Sequence, residues 1–195
     1  MKRVTKAAAL FLCLALTAVL FSACSAGIHH AEIVVEGYGS IFVELDGKTA
    51  PKTVRNFMKL AKSGFYDGLT FHRMAPGFVL QGGDPNGDGT GGSGEHIKGE
   101  FAANGHRNSI SHRRGVISMA RGSGFDGEYD SASSQFFICV EDATALNGQY
   151  AAFGHVTEGM EVVDAIMADA TEKGITDGPV PAEDQPVITT IKILD

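Results

Sequence analysis

The chain has 195 residues, 44% of them apolar and 20% charged, with 25 Gly, no Trp and a formal net charge of −7. That composition excludes disorder over most of the length, and the length accommodates one compact domain of about 100–150 residues with a short appendage, not two full domains. An acidic chain without a clustered Lys and Arg stripe also lacks what phosphate neutralisation needs, so no nucleic-acid partner is expected. The N-terminus stands apart from the rest. Lys2, Arg3 and Lys6 form a positive leader, Ala7 to Phe21 form an apolar run of 15 residues broken by Thr17, and the small residues Ser22 and Ala23 follow. This is the anatomy of an export signal over residues 1–23, and the run is shorter than the about 20 residues of a membrane-spanning helix.

The stretch Leu20-Phe21-Ser22-Ala23-Cys24 resembles the lipobox of bacterial lipoproteins, with Phe21 a less common choice at its position. That resemblance implies that Cys24 is diacylated on sulfur and becomes the mature N-terminus. Cysteine counting agrees with it. Of the three cysteines, Cys13 falls in the signal and Cys139 in an apolar run, so no disulfide framework exists and Cys24 has no obvious partner. Two or more acyl chains anchor a protein stably, so the protein is expected outside the cytoplasm, tethered to a bacterial membrane. Removing three positive charges with the signal takes the formal charge from −7 to −10, which keeps the domain off anionic lipid heads.

Residues 24–30 read as the lipidated cysteine and a tether, and the folded domain as 31–195. Glu32–Glu36 and Ser40–Leu45 alternate as strands joined through Gly37-Tyr38-Gly39, a hairpin. A helix follows, with Pro51 at its first position, Val54, Phe57, Met58 and Ala61 at i, i+3, i+4 and i+7, and Gly64 as a stop. Short β-like runs recur at Leu69–Met74, Phe78–Gln81, Gly115–Ala120, Gln135–Val140, Ala151–Val156 and Pro186–Leu194, and Met160–Ala170 reads as a second helix. Eight strands with two helices predict a mainly β fold, a closed eight-stranded antiparallel β-barrel with two capping α-helices. Between Gly64 and Gly127 lie 16 of the 25 glycines, seven of them within Gly82 to Gly94, a density suited to tight turns and close backbone approach around a site.

Residue sets for covalent or metal chemistry are missing: no GxSxG, HExxH, P-loop or CxxC occurs. Asp84-Pro85-Asn86-Gly87-Asp88-Gly89 with Glu95 fits a calcium-loop pattern. Such loops join two helices, whereas an apolar strand precedes this one, so the segment reads as a turn-rich surface loop and no cofactor is expected. The scattered histidines, His106 and His112 among them, read as satisfied or solvated side chains.

Four separated motifs carry the functional information: Phe71-His72-Arg73-Met74-Ala75-Pro76-Gly77-Phe78-Val79-Leu80-Gln81-Gly82-Gly83-Asp84, then Ser118-Met119-Ala120, Ser133-Ser134-Gln135-Phe136-Phe137-Ile138, and Phe153-Gly154-His155-Val156. In this order they closely resemble the cyclophilin family of peptidyl-prolyl isomerases, together with the PKTVRNF helix and the LNGQYAAFG run, from about Ala31 to the C-terminus. The family's fold is an eight-stranded antiparallel barrel with two capping helices, in line with the strand count. Its chemistry explains the missing nucleophile. Rotation about an X-Pro amide breaks resonance, a barrier of about 18–20 kcal/mol, and makes no bond to the enzyme. In the twisted state the proline nitrogen regains a lone pair, so a fixed donor aimed at it favours the transition state over both ground states.

By this resemblance Arg73 is that donor, Gln81 steadies the substrate carbonyl, and Phe137, with Phe78 and Leu146, forms the apolar floor for the pyrrolidine ring. His72 supports them, and Val79, Ala120, Arg121, Gln135 and Tyr150 complete the substrate-binding set. Arg121 replaces the family's frequent Asn, and Tyr150 stands where animal members often carry His. Ala145 occupies the place of the Trp found in cyclosporin-sensitive members, which implies weak cyclosporin binding. The loop Arg121 to Ser134 is longer than usual and carries Phe125, Tyr129, Asp126, Glu128 and Asp130, an insertion expected to tune which sequences flank the proline. The expected function is isomerisation of X-Pro bonds in exported, unfolded polypeptides by a monomer; the alternative is a non-catalytic module that holds proline-containing segments at the membrane surface.

Overall fold

Alternation of side chains folds the first two runs into a hairpin. Strand β1 (Ile28–Val35) pairs antiparallel with β2 (Gly39–Asp46), from Ile28 opposite Asp46 to Val35 opposite Gly39. Ala31, Ile33 and Val35 point inward with Ile41, Val43 and Leu45, as a period of two requires. The computed structural model describes residues 27–122, 128–178 and 180–195. The expected export signal, the expected lipidation at Cys24 and residues 123–127 of the expected insertion lie outside the described residues.

The remaining elements are helix α1 (Pro51–Lys62), strands β3 (Arg73–Ala75), β4 (Val79–Gly82), β5 (Val116–Met119), β6 (Phe136–Cys139) and β7 (Ala151–Glu158), helix α2 (Met160–Glu172), and strand β8 (Ile188–Ile193). The strands form one antiparallel sheet in the order β3-β4-β6-β5-β7-β2-β1-β8. The expectation of a closed barrel needs correcting in one respect: the strand ladder runs from β3 to β8 and the two ends do not pair. The segment 68–71 crosses the gap between them. Gly68 N and Phe71 N donate to Ile188 O and Pro186 O (2.8 and 2.9 Å), and Thr70 O accepts from Gly83 N (3.3 Å). Serving both sides, this segment is not itself a strand, so of the predicted Leu69–Met74 run only Arg73 and Met74 lie in a strand, which continues to Ala75.

A second correction concerns the tether. Ile28, His29 and His30 belong to β1; His29 is 8% exposed, its Nδ1 lies 3.1 Å from Asp195 Oδ2, and His30 N donates to Asp195 Oδ1 at 2.6 Å. Histidines do not register as apolar alternation, which hid these residues in the sequence.

The inner face of the sheet and the two helices enclose one core. Helix α1 contributes Val54, Phe57, Leu60 and Ala61, and α2 contributes Val162, Val163, Ile166 and Met167. Phe57 is the hub of an aromatic cluster, with ring centroids 5.4 Å from Tyr66, 5.5 Å from Phe136 and 5.3 Å from Phe153. Each such pair adds about 0.5–1.5 kcal/mol beyond area burial. The start of α1 has no capping side chain of its own, because Ala50 stands at that position. Its orphan amides are met from a distance: the buried Glu100 carboxylate accepts from Lys52 N (3.1 Å), Thr53 N (2.9 Å) and Thr53 Oγ1 (2.8 Å), an anion at a helix N-terminus.

Between β7 and β2 the backbones approach so closely that a Cβ on Gly154 would lie 2.1 Å from Glu44 O. Gly154→Ala is expected to destabilise the protein by about 1–3 kcal/mol, the range for overpacking a filled interior, read as a lowered urea midpoint at unchanged slope.

Candidate active site

Pleating sends alternate residues of β3 to β6 to opposite faces, and the face turned away from the main core carries the candidate site. On β6, Phe136 and Ile138 enter the main core, whereas Phe137 and Cys139 join a second apolar cluster with Val79, Ala75, Val116 and Ala152. Cross-strand register aligns these outward residues: Arg73 stands opposite Gln81, Gln81 opposite Phe137, Phe137 opposite Ser118, and Ser118 opposite Ala152. With strands about 4.8 Å apart, a single row spans five of them.

Over this row opens a pocket of about 320 Å³ lined by Arg73, Phe78, Val79, Gln81, Ala120, Arg121, Phe137, Leu146 and Tyr150. Nine sequence-predicted site residues therefore converge on one cavity. Phe137 is the floor, 4% exposed, and Tyr150 meets it edge-on at 5.8 Å. Ala145 is exposed. A neighbouring pocket of about 400 Å³ shares Gln81, Ala120 and Arg121 and is walled by Gln135, the glycine-rich loop and the described ends of the insertion, Gly122 and Glu128.

The polar side of the first pocket is a chain of hydrogen bonds. Arg73 Nη1 donates to Gln81 Oε1 (3.1 Å), Gln81 Nε2 to Gln135 Oε1 (2.9 Å), and Gln135 Nε2 to the carbonyls of Gly89 (3.0 Å) and Gly91 (2.8 Å). On its outer edge Arg73 donates from Nε to Asp177 Oδ1 (2.8 Å) and from Nη2 to Asp177 Oδ2 (3.2 Å). Among the described residues three of the five N–H donors are thereby engaged and two remain. The guanidinium also stands 5.7 Å from the centre of the Phe78 ring. Arg121 is fixed differently, its guanidinium carbon 4.8 Å from the Tyr150 ring centre, 5.2 Å from Tyr129 and 5.6 Å from Phe101. It is a rib of the wall between the two pockets.

Two sequence-predicted residues lie outside the first cavity. Gln135 acts one bond removed, through Gln81. His72 is 2% exposed and lines neither pocket; among the described residues neither of its ring nitrogens meets a partner at hydrogen-bond distance, and burial holds its pKa below the ordinary value against the opposing pull of Asp84, Asp88 and the Gln135 side chain. The calcium-like loop is held by its own backbone. The buried Asp84 carboxylate accepts from Asn86 N (2.9 Å), Asp88 N (3.2 Å) and Gly89 N (2.6 Å), and Glu95 pairs with Lys59 (2.7 Å). Among the described residues no group of three or more His, Cys, Asp or Glu is placed to hold a metal ion. The Cys139 thiol, buried beneath the site, is pushed up to about 12 by desolvation, which keeps it protonated and inert.

Sequence reasoning missed two supports of the site. Asp177 sits in a polar loop with no local pattern to single it out. His112 is fully buried under Phe137, with ring centroids 6.0 Å apart and planes at 20°. Its Nδ1 lies 3.1 Å from Asn147 Oδ1 and its Nε2 3.0 Å from Ser118 Oγ, so a neutral ring donates to one and accepts from the other. Burial lowers its pKa.

The model of the family described as "Cyclophilin type peptidyl-prolyl cis-trans isomerase/CLD" matches residues 30–194. A peptidyl-prolyl cis-trans isomerase of Helicobacter pylori is 48% identical over 130 residues, 66% of this chain and 74% of the relative. Peptidyl-prolyl cis-trans isomerase B of Bacillus subtilis is 49% identical over 128 residues, 66% of this chain and 83% of the relative. Among solved structures, a cyclophilin type peptidyl-prolyl cis-trans isomerase of Cryptosporidium parvum, crystallised in the presence of the dipeptide Ala-Pro, matches with a TM-score of 0.72 at 32% identity, covering 85% of this chain and 99% of that one.

The depressed pKa of His112 sets a pH dependence. The unfolded ring takes up a proton near 6.5 and the folded ring does so only at lower pH, so its stabilising contribution is complete above that value and is lost as pH falls below it. Between pH 6.5 and about 5, above the carboxylate range, His112→Gln is expected to flatten the fall of stability with acidification, by at most about 1.4 kcal/mol per pH unit. Urea melts across that window measure it.

Proposed function

The chain belongs to the cyclophilin-type peptidyl-prolyl cis-trans isomerases, and from that membership we propose how and where it works: it accelerates X-Pro rotation in exported polypeptides by stabilising the twisted amide with Arg73. The observation that carries this reading is the placement of the Arg73 guanidinium beside an apolar pocket, with N–H donors still unengaged. The pocket's Phe137, Phe78 and Leu146 suit a pyrrolidine ring, and excluding water from it strengthens any charge-assisted bond formed there. Gln81 holds Nη1 of the arginine and is in turn held by Gln135, so the donor needs little reorganisation when the proline nitrogen becomes pyramidal. No covalent step and no proton transfer to the protein are required.

A proline-containing peptide is the natural occupant, in keeping with the Ala-Pro dipeptide named for the Cryptosporidium parvum relative. The second reading, a module that grips proline segments without turning them over, uses the same pocket and differs in what Arg73 does. Removing the guanidinium as Arg73→Ala is expected to lower kcat/KM for a short X-Pro peptide about 10²–10³-fold, the usual loss for one transition-state donor. Peptide binding should persist. Because arginine keeps its proton, the wild-type rate should be nearly flat with pH around neutrality. Line-shape or exchange NMR with the full chain measures both, and a folded protein that binds the peptide without speeding exchange leaves the holding module instead.

The setting rests on the N-terminal sequence. A positive leader, an apolar run and Cys24 after Leu20-Phe21-Ser22-Ala23 support export followed by lipid anchoring on the outer side of a bacterial membrane. Among the described residues no helix is long and apolar enough to cross a membrane. Cys24→Ser is expected to move the protein from the membrane to the soluble fraction without loss of isomerase activity, and the mass of the detergent-extracted wild type should exceed that of the signal-cleaved chain by a diacylglyceryl group.

A further inference from the structure

The guanidinium at the centre of the proposed chemistry is gripped from its outer edge by a carboxylate 104 residues further along the chain. The two bonds from Nε and Nη2 to Asp177, at 2.8 and 3.2 Å, form a fork-to-fork pair that fixes a plane as well as a position. Gln81 supplies a single further bond, at 3.1 Å to Nη1. Without Asp177 a long side chain, 31% exposed, would be left with one hydrogen bond and freedom to rotate about it.

Described residues on either side of Asp177 are tied to the fold. At the end of α2, Gly174 N donates to Thr171 O (3.0 Å) and Ile175 N to Ala170 O (2.9 Å). Three residues past Asp177, Val180 is buried and its N donates to His72 O (2.9 Å), the carbonyl next to Arg73 in the chain. Val180 O accepts from the Gln185 side chain at 2.7 Å. Gly174 and Ile175 are thus tied to α2, Val180 is tied to the root of Arg73, and Asp177 between them meets the guanidinium. Arg73 in turn holds the Asp177 carboxyl below the usual carboxylate range, so the pair is ionised at neutral pH.

We propose that Asp177 is a positioning residue for the isomerase: it sets the plane of the Arg73 guanidinium so that the N–H groups left over face the proline pocket. This rests on the catalytic reading of Arg73 given above. An ion pair whose carboxylate is 59% exposed adds little to folding, so the effect of losing it falls on the reaction.

The test is a double-mutant cycle on the full chain, with wild type, Asp177→Ala, Arg73→Ala and the double variant, read as kcat/KM on an X-Pro peptide at enzyme concentrations that resolve the residual activity of Arg73→Ala. Asp177→Ala should lose about tenfold in the wild-type background and change less than twofold where Arg73 is already alanine, with the thermal midpoint unchanged. A loss under twofold in the wild-type background, or an equal loss in both, overturns the proposal, since a merely structural residue acts regardless of Arg73. The Arg73 Nε–H resonance, in a protein labelled with ¹⁵N at arginine Nε, tests the grip without reference to activity: its hydrogen exchange should quicken in Asp177→Ala, and unchanged exchange also overturns the proposal. Should the wild type speed no isomerisation, the catalytic reading falls, and the Nε–H signal still decides whether Asp177 orients the arginine.

Discussion

The register of five strands puts Arg73, Gln81, Phe137, Ser118 and Ala152 in one row on the outer face of the sheet, and the rest of the site takes its position from that row. A slip of β6 by one residue would turn Phe137 into the core and Phe136 out of it. What prevents the slip is the core itself. Phe136, Ile138, Leu80, Ile117 and Met119 are at most 1% exposed, and Phe136 is locked edge-on against Phe57, Tyr66 and Phe71. Full burial of such side chains is worth about 1.5–3 kcal/mol each, so the hydrophobic face fixes the register and the catalytic face inherits it.

Around the row the protein is built to hold side chains still. Arg73 is tied to Gln81 and Asp177, Gln81 to Gln135, and Gln135 to the carbonyls of Gly89 and Gly91. The glycine-rich loop therefore serves as an anchor. Its shape comes from Asp84, whose carboxylate gathers three backbone amides, and from Gly91, where a Cβ would fall 2.1 Å from that carboxylate. Beneath Phe137, the His112 ring with Ser118 and Asn147 forms a fully bonded neutral support. The site so held is made of amides, aromatics and an arginine, the groups that the proposed stabilisation of a twisted amide uses.

Much of this was legible along the chain. Both helices begin at the predicted residues, Pro51 and Met160, because proline suits a first turn and apolar spacing reveals a buried stripe. The family resemblance named eleven site residues, six of the pocket's nine lining residues lying in the four motifs, and nine of the eleven meet around one cavity. Other supports were hidden for identifiable reasons. The Ile28–His30 end of β1 lacks apolar alternation, since its inward residue is His29, whose Nδ1 meets Asp195. Glu100 caps the start of α1 from 48 residues beyond Lys52, and Asp177 reaches Arg73 across 104.

Sequence by itself determined the local elements, the parity of each strand and the identity of the pocket residues, because helix stripes, strand alternation and motif order are properties of neighbouring residues. The tertiary structure decided which polar groups meet: that the sheet's ends are bridged by 68–71 instead of pairing, that His72 lies outside both pockets while Gln135 stands behind Gln81, and that Asp177 closes on the arginine. These contacts join residues brought together by burial of apolar surface elsewhere in the fold. Hydrogen bonding between distant polar side chains leaves no periodic trace in the order of residues, so it becomes visible once the core has set their positions.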